Sequence, residues 1–411
     1  MTSHVRFPRV LITAVVATSL ALVGCSRNGD NEAGGDPGIT DDSVAIAISN
    51  PLSGPAAGPG RCVADGVVAY FEARNAEGGI EFGDGKTRTV TVDSLDDAYN
   101  PQQAKANYDA SHNEVFVMGL GLGTPTNRAW RDAAIEDGVP QVLTQTGDPL
   151  FSDTEESPWQ LDAFPTYVSE GRAFGELLAS HDQEYDIAVL VQNDDYGLDY
   201  LTGLQEAVAE STNLTIVKEL TYEATDDSIE AQITELAQTG ADVMFNAVAQ
   251  PPLTISGLLK AQDLGWEPIW FLPSNTSSVE AILKPGNATA FPAIYTASYQ
   301  KSPEDPAYAN DEDVVEFLDA LAQYTDQPDI PEFPHCMWGY MTAAILEEAF
   351  RGTTEPTREN FMTALRSISG FEPPLALPGT TVDTTIENAP AISEVILEEF
   401  DGEAYVPVTS P

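Results

Sequence analysis

A glycine-rich turn between a strand and a helix is the first part of the sequence whose residue types suit a ligand. Val115–Gly119 is predicted to be a strand, and the turn leads from it to Thr124, Pro125 and Thr126. Amides at a helix N-terminus, with threonine hydroxyls beside them, can hold an anion such as a carboxylate. The glycines also fit part of a dinucleotide fingerprint, but Thr124 stands where its third glycine belongs. A third interpretation is that they only allow a tight turn.

Small polar turns follow several other predicted strands. Thr146 and Gly147 lie in one of them, and Tyr196, Gln250 and Asn275 lie in comparable turns further along the chain. In open α/β sheets, ligands bind outside the carboxyl ends of the strands, so these turns are expected to face one cleft. The pattern is typical of a protein that closes on a small molecule.

The sequence gives little support for metal or nucleophilic chemistry. Its four histidines are isolated, and no pair has the spacing of a zinc site. A GxSxG motif is absent, and neither Cys62 nor Cys336 has an obvious histidine partner. Carboxylate pairs such as Asp96 and Asp97 are most simply solvated in so acidic a chain. We therefore expect no enzyme activity, no metal and no cofactor.

Strands and helices alternate along most of the chain. Between residues 44 and 272, apolar runs of strand length alternate with helical stretches such as Arg61–Arg74 and Ser228–Gln238. Such alternation is typical of parallel sheets covered by helices on both faces. The predicted fold class is α/β, with two doubly wound parallel-sheet lobes.

Turn residues mark the ends of individual elements. The helix 228–238 is expected to be capped by Asp227 and to end before Gly240. Near the C-terminus, Asp401 and Gly402 separate two alternating apolar runs, which predicts a hairpin.

The chain is strongly acidic. Its 411 residues contain 18 lysines and arginines against 65 aspartates and glutamates, for a formal net charge of −47. Because phosphate backbones would be repelled, we expect no nucleic-acid partner, and docking on anionic lipid through a basic patch is equally disfavoured. The length predicts two or three domains. The charge also suggests saline surroundings, where salt screens self-repulsion.

The N-terminal segment predicts export and anchoring. A short basic stretch precedes an apolar run that is too short to span a bilayer, as in a signal peptide. Leu22–Cys25 has the form of a bacterial lipobox, in which Cys25 is lipidated and becomes the first mature residue. The alternative is an ordinary signal peptide with a chance cysteine nearby. We therefore predict a lipoprotein signal peptide over 1–24 and a flexible, polar tether over 25–41.

Two cysteines remain after Cys25. Outside the cytosol, Cys62 and Cys336 are expected to be paired rather than free. They are far apart in the sequence, so a bridge requires both ends of the chain to fold onto one lobe. The alternative is two buried free thiols, since cysteine packs well as a small hydrophobic residue.

Seven short motifs occur in the order found in one known family. They are Pro51–Gly58, Asn75–Ile80, Asp96–Pro101, Gly123–Thr126, Gly138–Pro140, Gln192–Gly197 and Gly240–Val243. Together they resemble the periplasmic leucine/isoleucine/valine-binding protein family, the solute-binding lipoproteins of ABC importers. The resemblance covers about residues 42–408 and implies a type I periplasmic-binding-protein fold.

That fold would have two lobes joined by a three-segment hinge. The resemblance implies that lobe one contains 42–164 with 296–376, and that lobe two contains 165–295 with 377–411. Cys62 and Cys336 would then both belong to lobe one, which makes their pairing feasible.

The resemblance also implies how the ligand is held. Hydroxyls and amides of two lobe-one turns would bind its carboxylate, and here these turns contain Thr124, Pro125, Thr126, Thr146 and Gly147. Tyr196 stands where an aromatic side chain of lobe two closes over the ligand.

Two positions depart from the family pattern. Amino-acid binders have an acidic residue after a late strand of lobe two, but the corresponding turn, 272–276, contains Asn275 and no carboxylate. The tyrosine expected after the preceding strand is replaced near Gln250. An unpaired ammonium group in a closed cleft is costly. The ligand could therefore be a carboxylate without an amine or a neutral amide as well as an amino acid. Arg61 either reaches an anionic group or is a surface side chain.

The resemblance implies a receptor that is lipid-anchored through Cys25 to the outer face of the cell membrane. It would capture a small molecule between its lobes and deliver it to the permease subunits of an ABC transporter. The alternative is a sensor whose closed form signals to a membrane partner.

Overall fold

The structure is a computed structural model that describes residues 35–327 and 332–408. The predicted signal peptide, the lipidation at Cys25 and the tether up to residue 34 lie outside the described residues. Within the described residues, no helix combines the length and the apolar character needed to cross a membrane.

The described residues form fifteen strands and ten α-helices. The strands are β1 (Ser43–Asn50), β2 (Ile80–Glu81), β3 (Thr87–Asp96), β4 (Val117–Met118), β5 (Gln141–Thr144), β6 (Gln160–Asp162), β7 (Tyr185–Gln192), β8 (Leu214–Tyr222), β9 (Val243–Ala247), β10 (Ile269–Phe271), β11 (Ile294–Ser298), β12 (Ser369–Phe371), β13 (Val382–Asp383), β14 (Ile396–Phe400) and β15 (Tyr405–Pro407). The helices are α1 (Ala57–Ala76), α2 (Pro101–Ser111), α3 (Thr124–Asp137), α4 (Tyr167–Ala179), α5 (Asp195–Glu210), α6 (Glu230–Ala237), α7 (Pro251–Asp263), α8 (Glu312–Tyr324), α9 (His335–Gly352) and α10 (Arg358–Leu365).

The first sheet has the strand order β2-β3-β1-β4, with β1 parallel to both β3 and β4. The paired strands β5 and β6 lie beside β4, because the amides of Met118 and Leu120 donate to the carbonyls of Pro140 and Val142. This arrangement brings the carboxyl ends of β4, β5 and β6 to one edge of the lobe.

The second sheet has the order β15-β14-β11-β10-β9-β7-β8. Strands β7 to β11 pair in parallel, and β14 and β15 add an antiparallel hairpin to β11. The hairpin pairs Phe400 with Tyr405, and Gly402 at its tip has a φ of 105° that suits glycine. The hairpin predicted around Asp401 and Gly402 is therefore confirmed.

Each sheet is packed by its own helices, and the chain passes between the two assemblies three times. It leaves the first sheet after β6, returns after β11 to form α8, α9 and α10, and joins the second sheet again at β14. The predicted α/β class with two parallel-sheet lobes and a three-segment hinge is thus confirmed. Within the segment that we assigned to lobe two, Val382 and Ile392 are buried in the first core, so the packing favours a lobe boundary after Ile392.

A disulfide joins Cys62 of α1 to Cys336 of α9. The two helices approach closely at two glycines. A Cβ on Gly66 would lie 2.0 Å from the Cys336 carbonyl oxygen, and one on Gly339 would lie 2.1 Å from the Val63 carbonyl oxygen. The covalent bond therefore links two helices whose backbones are in direct contact within lobe one.

One predicted helix cap is wrong. Helix α6 begins at Glu230, the preceding Ile229 provides no side-chain cap, and Asp227 lies before the helix. Ile229 is fully buried in the core of lobe two, so its packing fixes where the helix begins. Gly240 follows the helix with a φ of 69°, as its predicted role requires.

Candidate functional site

A cavity lies between the two lobes, at the carboxyl ends of strands from both sheets. The turns after β4 and β5 line it from lobe one, and the turns after β9 and β10 line it from lobe two. Side chains from α4, α5 and α9 complete its walls. This is the position expected for a ligand site in open α/β sheets.

The lobe-one wall of the cavity contains two buried threonine hydroxyls. The Thr124 and Thr146 oxygens lie 2.7 Å apart, and either can donate to the other. Thr124 is the first residue of α3, which no side chain caps, and Gly123 before it has a φ of 112°. With Gly147 beside them, these residues form a neutral group of hydroxyls and helix N-terminal amides that suits a carboxylate.

Three residues predicted for the site lie outside this cavity. The Thr126 hydroxyl donates to the carbonyls of Leu122 and Gly123, at 3.1 and 3.0 Å, so it stabilises its own turn. Pro125 has no amide hydrogen to offer and does not line the wall. Arg61 donates through Nε to the Leu52 carbonyl, at 2.7 Å, and borders a shallow surface depression instead.

Tyr196, Gln250 and Asn275 line the cavity from lobe two. The Tyr196 hydroxyl donates to Asn275 Oδ1 at 3.1 Å, which joins the first turn of α5 to the turn after β10. Gln250 Oε1 accepts from the Tyr222 hydroxyl at 2.7 Å, and that hydroxyl also accepts from the Ala249 amide at 2.9 Å. Tyr222, at the end of β8, thus stabilises the turn after β9, where the tyrosine expected from the family pattern is replaced.

The cavity also contains a carboxylate that the sequence analysis did not identify. Glu170 belongs to the first turns of α4, which is capped by Thr166, and its side chain is 1% exposed. Glu170 Oε1 accepts from the Ser274 hydroxyl at 2.8 Å, and Oε2 accepts from the Tyr200 hydroxyl at 2.7 Å. Ser274 lies in the turn that lacks its own acidic residue, so Glu170 brings a carboxylate to that turn from the neighbouring helix.

Burial raises the pKa of Glu170 to about 7, and the hydrogen bonds from Tyr200 and Ser274 oppose this shift only in part. No lysine or arginine lines the cavity within the described residues. The carboxylate therefore has hydrogen-bond donors but no counter-ion, and a cationic group of a ligand would provide one.

Aromatic side chains form much of the remaining wall. Phe164 stacks on Tyr299 at 4.6 Å between ring centroids, and Trp338 lies 4.4 Å from His335. Burial lowers the pKa of His335 to about 3, so its imidazole is neutral at physiological pH. Gln145 Oε1, His335 Nδ1 and Trp338 Nε1 are buried without a hydrogen-bond partner among the described residues, so polar capacity remains for a ligand.

An ion pair crosses from one lobe to the other beside the cavity. Arg128 of α3 forms a salt bridge with Asp148, and its Nη1 lies 2.8 Å from Asp195 Oδ2 at the start of α5. The pair therefore holds α3 of lobe one against α5 of lobe two in the closed arrangement. Within the described residues, no cluster of three or more histidine, cysteine or acidic side chains could hold a metal ion.

Two parallel-sheet lobes with a small-molecule cavity between them define a bilobal solute-binding protein. A profile of the periplasmic binding protein family matches residues 43–402, and the chain belongs to that family.

Curated relatives agree with this assignment. The Leu/Ile/Val-binding protein homolog 3 of Brucella melitensis is 28% identical over 214 residues, which cover 49% of this chain. That match spans about half of the relative's length, at 53%. The leucine-, isoleucine-, valine-, threonine-, and alanine-binding protein of Pseudomonas aeruginosa is 23% identical over 340 residues, covering 81% of this chain and 84% of its own.

Solved structures share the fold. A fatty acid ABC transporter substrate-binding protein from Thermomonospora curvata has a TM-score of 0.78 at 20% identity, over 91% of this chain and 93% of its own. A branched chain amino acid ABC transporter from Thermus thermophilus with bound valine has a TM-score of 0.76 at 18% identity. The match covers 91% of this chain and 97% of that protein. The resemblance to the leucine/isoleucine/valine-binding family is confirmed.

Proposed function

We propose that this protein is an extracytoplasmic receptor that captures a small α-amino acid between its lobes and delivers it to the permease of an ABC transporter. The observation that carries the proposal is the pairing of two complementary groups in one cavity. Thr124 and Thr146 offer hydroxyls to a carboxylate, and Glu170 offers a buried anion to an ammonium group.

A zwitterion matches both groups, whereas the other ligands considered match one of them or neither. A carboxylate without an amine would leave Glu170 without a counter-ion in a closed cleft, or would require it to be protonated. A neutral amide would pair with neither group by charge. The carboxylate missing from the turn 272–276 was the reason to keep these ligands open, and the carboxylate that Glu170 brings to this turn supports an amino acid over them.

The names of the relatives support the same ligand class. Two curated relatives are described as binders of leucine, isoleucine and valine, and one structural neighbour contains valine. Another structural neighbour is described as a fatty acid ABC transporter substrate-binding protein, and a fatty acid is a competing ligand class that has a carboxylate and no amine. The experiment must therefore separate these two classes.

The test is a thermal-unfolding series with matched ligands. A ligand present at 100 times its Kd stabilises the protein by about 2.7 kcal/mol. We expect saturable stabilisation by leucine or valine, and much less by 4-methyl-2-oxopentanoate, which is leucine with its amine replaced by a ketone, or by decanoate. Equal stabilisation by leucine and its deaminated analogue would contradict an amino-acid ligand.

Delivery to a permease and anchoring through Cys25 belong to the same proposal. We expect the wild-type protein to fractionate with membranes and a Cys25→Ser variant to be released from them. Loss of leucine uptake on deletion of the gene, restored by the wild type, would support transport. Intact uptake without the protein would favour the sensor alternative.

A further inference from the structure

A second cavity lies at the hinge, on the far side of the crossover that contains Tyr299. It is lined by the ends of β11 and β14, by Tyr405 of β15, by the loop 302–308 and by the start of α9. Ser274, Tyr299 and His335 line the ligand cleft, whereas Ser278, Gln300 and Pro334 line this hinge cavity. The two cavities therefore have separate walls.

The hinge cavity is rich in acceptors and contains no cationic side chain among the described residues. Glu398 of β14 is only 9% exposed, and burial raises its pKa to about 7. Glu304 is largely buried too, and it accepts from the Val279 amide at 3.0 Å and the Ser278 hydroxyl at 3.2 Å. Those contacts give Glu304 a structural role at a helical turn, while Glu398 has only the Ser298 hydroxyl as a side-chain hydrogen-bond partner.

The one lysine close to these residues in the sequence is already paired. Lys301 Nζ lies 2.9 Å from carboxylate oxygens of both Asp311 and Asp313. Its ammonium group is therefore committed to the start of α8. Glu398 has no ion-pair partner of its own within the described part of the chain.

Two uncharged polar groups of the cavity are also unsatisfied. Gln300 is 8% exposed, and its Oε1 is buried without a hydrogen-bond partner among the described residues. The hydroxyl of Tyr405 is buried and unpartnered in the same way, and both residues line the cavity. Buried polar atoms are normally paired, so these two atoms, beside a carboxylate without a counter-ion, have hydrogen-bonding capacity for a polar ligand.

The chemistry of the walls restricts what this ligand can be. The cavity presents a carboxylate without a counter-ion, an unpartnered amide oxygen and an unpartnered phenol, so a matching ligand donates hydrogen bonds and compensates a negative charge. Phe333, Met337 and Tyr308 supply apolar and aromatic surface at the other side of the cavity. Aromatic faces and carboxylates together suit an organic cation.

We propose that the hinge cavity binds a small organic cation, a protonated aliphatic amine, with its ammonium group between Glu398 and Gln300. The carbon chain lies against the apolar wall formed by Pro334 and Met337. Because the cavity contains residues of both lobes and of the crossover between them, the amine is a second ligand of the receptor, held at the segments that move when the cleft opens.

The experiment uses the full-length chain and butylamine as the probe, at pH 8, where the carboxylates are ionised. We expect butylamine to raise the unfolding temperature saturably, whereas n-butanol and an equal concentration of sodium chloride do not. In Glu398→Gln the apparent affinity for butylamine falls roughly tenfold or more, because the buried charge partner is lost. Glu403→Gln, which changes an exposed carboxylate of the same hairpin, keeps the wild-type affinity for butylamine, and Glu170→Gln is measured beside it because the cleft also contains a carboxylate.

Three results would overturn the proposal. They are the absence of a saturable shift with butylamine in the wild type, an equal affinity in Glu398→Gln, and a loss confined to Glu170→Gln, which would place the amine in the cleft. Should Glu398→Gln fail to fold, Gln300→Met replaces it. This variant keeps the side-chain length and removes the acceptor, and circular dichroism and leucine binding check its fold. Unchanged butylamine affinity in a folded Gln300→Met variant counts against the site as well, and it does so independently of the ligand in the cleft.

Discussion

The two walls of the cleft recognise polar groups by different means. Lobe one presents Thr124, Thr146 and helix amides, all neutral and all located at strand-end turns. Lobe two presents Glu170, an ionisable group on a helix, held by hydrogen bonds from two neighbouring elements. Burying neutral hydrogen-bond donors costs little free energy, and such donors can bind many different anions. Burying a carboxylate costs much more free energy unless a cation compensates its charge. If the proposed function holds, the lobe-two wall sets the ligand class, while the lobe-one wall sets the orientation.

The strongest test of this comparison is Glu170→Gln. The amide keeps the shape and most hydrogen bonds but removes the charge, so we expect leucine affinity to fall about 100-fold, within the 2–5 kcal/mol typical of a buried charge partner. Binding of 4-methyl-2-oxopentanoate should not weaken. Calorimetric titration of both ligands measures the difference, and Glu176→Gln, an exposed carboxylate on the same helix, is the control. A similar loss for both ligands would mean that Glu170 only supports the fold.

The opposite pattern is expected from Thr146→Val. Valine keeps the shape of threonine without its hydroxyl, so every ligand with a carboxylate should lose about tenfold in affinity. The loss should be the same for leucine and for its deaminated analogue, since lobe one does not contact the amine. Thr126→Val is the matched control, because that hydroxyl is bonded within its own turn. A larger loss for leucine alone would show that the walls are not independent.

The pH dependence of binding should also differ between the two ligand types. The pKa of free Glu170 is raised to about 7, and an ammonium ligand binds its ionised form. Leucine affinity should therefore be full above pH 7 and fall, by up to tenfold per pH unit, as the pH drops below it. A carboxylate without an amine favours protonated Glu170, so its affinity should rise over the same range. Titrations at pH 8, 7 and 6 measure both trends, and Glu170→Gln should abolish them.

The smallest effect on ligand affinity is expected from removing the ion pair that joins the two lobes beside the cavity. Asp195→Asn removes the ion pair with Arg128 that joins the lobes and leaves the pair between Arg128 and Asp148 in place, and exposed pairs contribute only about 0–1 kcal/mol. Ligand affinity should fall by a factor of about two to five in dilute buffer and by less in 1 M salt. Arg172→Gln, whose ion pairs all lie within lobe two, should leave affinity unchanged. An effect that persists in high salt would assign Asp195 a role other than closure.

The lobe-one wall could be predicted from the sequence, because its residues are adjacent in glycine-rich turns with a recognisable order. Thr124 and Thr146 lie in the cavity for that reason, and Tyr196 of lobe two, which follows a strand in the same way, lies there too. Thr126 was assigned from its place in the family turn and Arg61 from its charge just before the first helix, but both side chains donate to nearby backbone carbonyls and lie outside the cavity.

Glu170 was missed because it is one of 65 acidic residues and lies far in sequence from the turn that it serves. A signal was present in helix α4, however. Glu170, Phe174 and Leu178 follow one another at intervals of four and are all buried. An acidic residue on the apolar stripe of a helix is costly, so its position on that stripe, rather than its type, indicated a function.

The disulfide between α1 and α9 has a consequence for the order of folding. Its cysteines are 274 residues apart, and an exported chain crosses the membrane from its N-terminus. The disulfide of lobe one therefore cannot form until Cys336 has emerged from the membrane. Strands β7 to β11 of lobe two lie wholly between the two cysteines in the sequence. The inserted lobe can assemble its parallel strands first, on a chain whose other lobe is still open. When the protein is secreted in reducing conditions, the lobe-one wall with Thr124 and Thr146 should therefore lose its structure before helix α4, which contains Glu170.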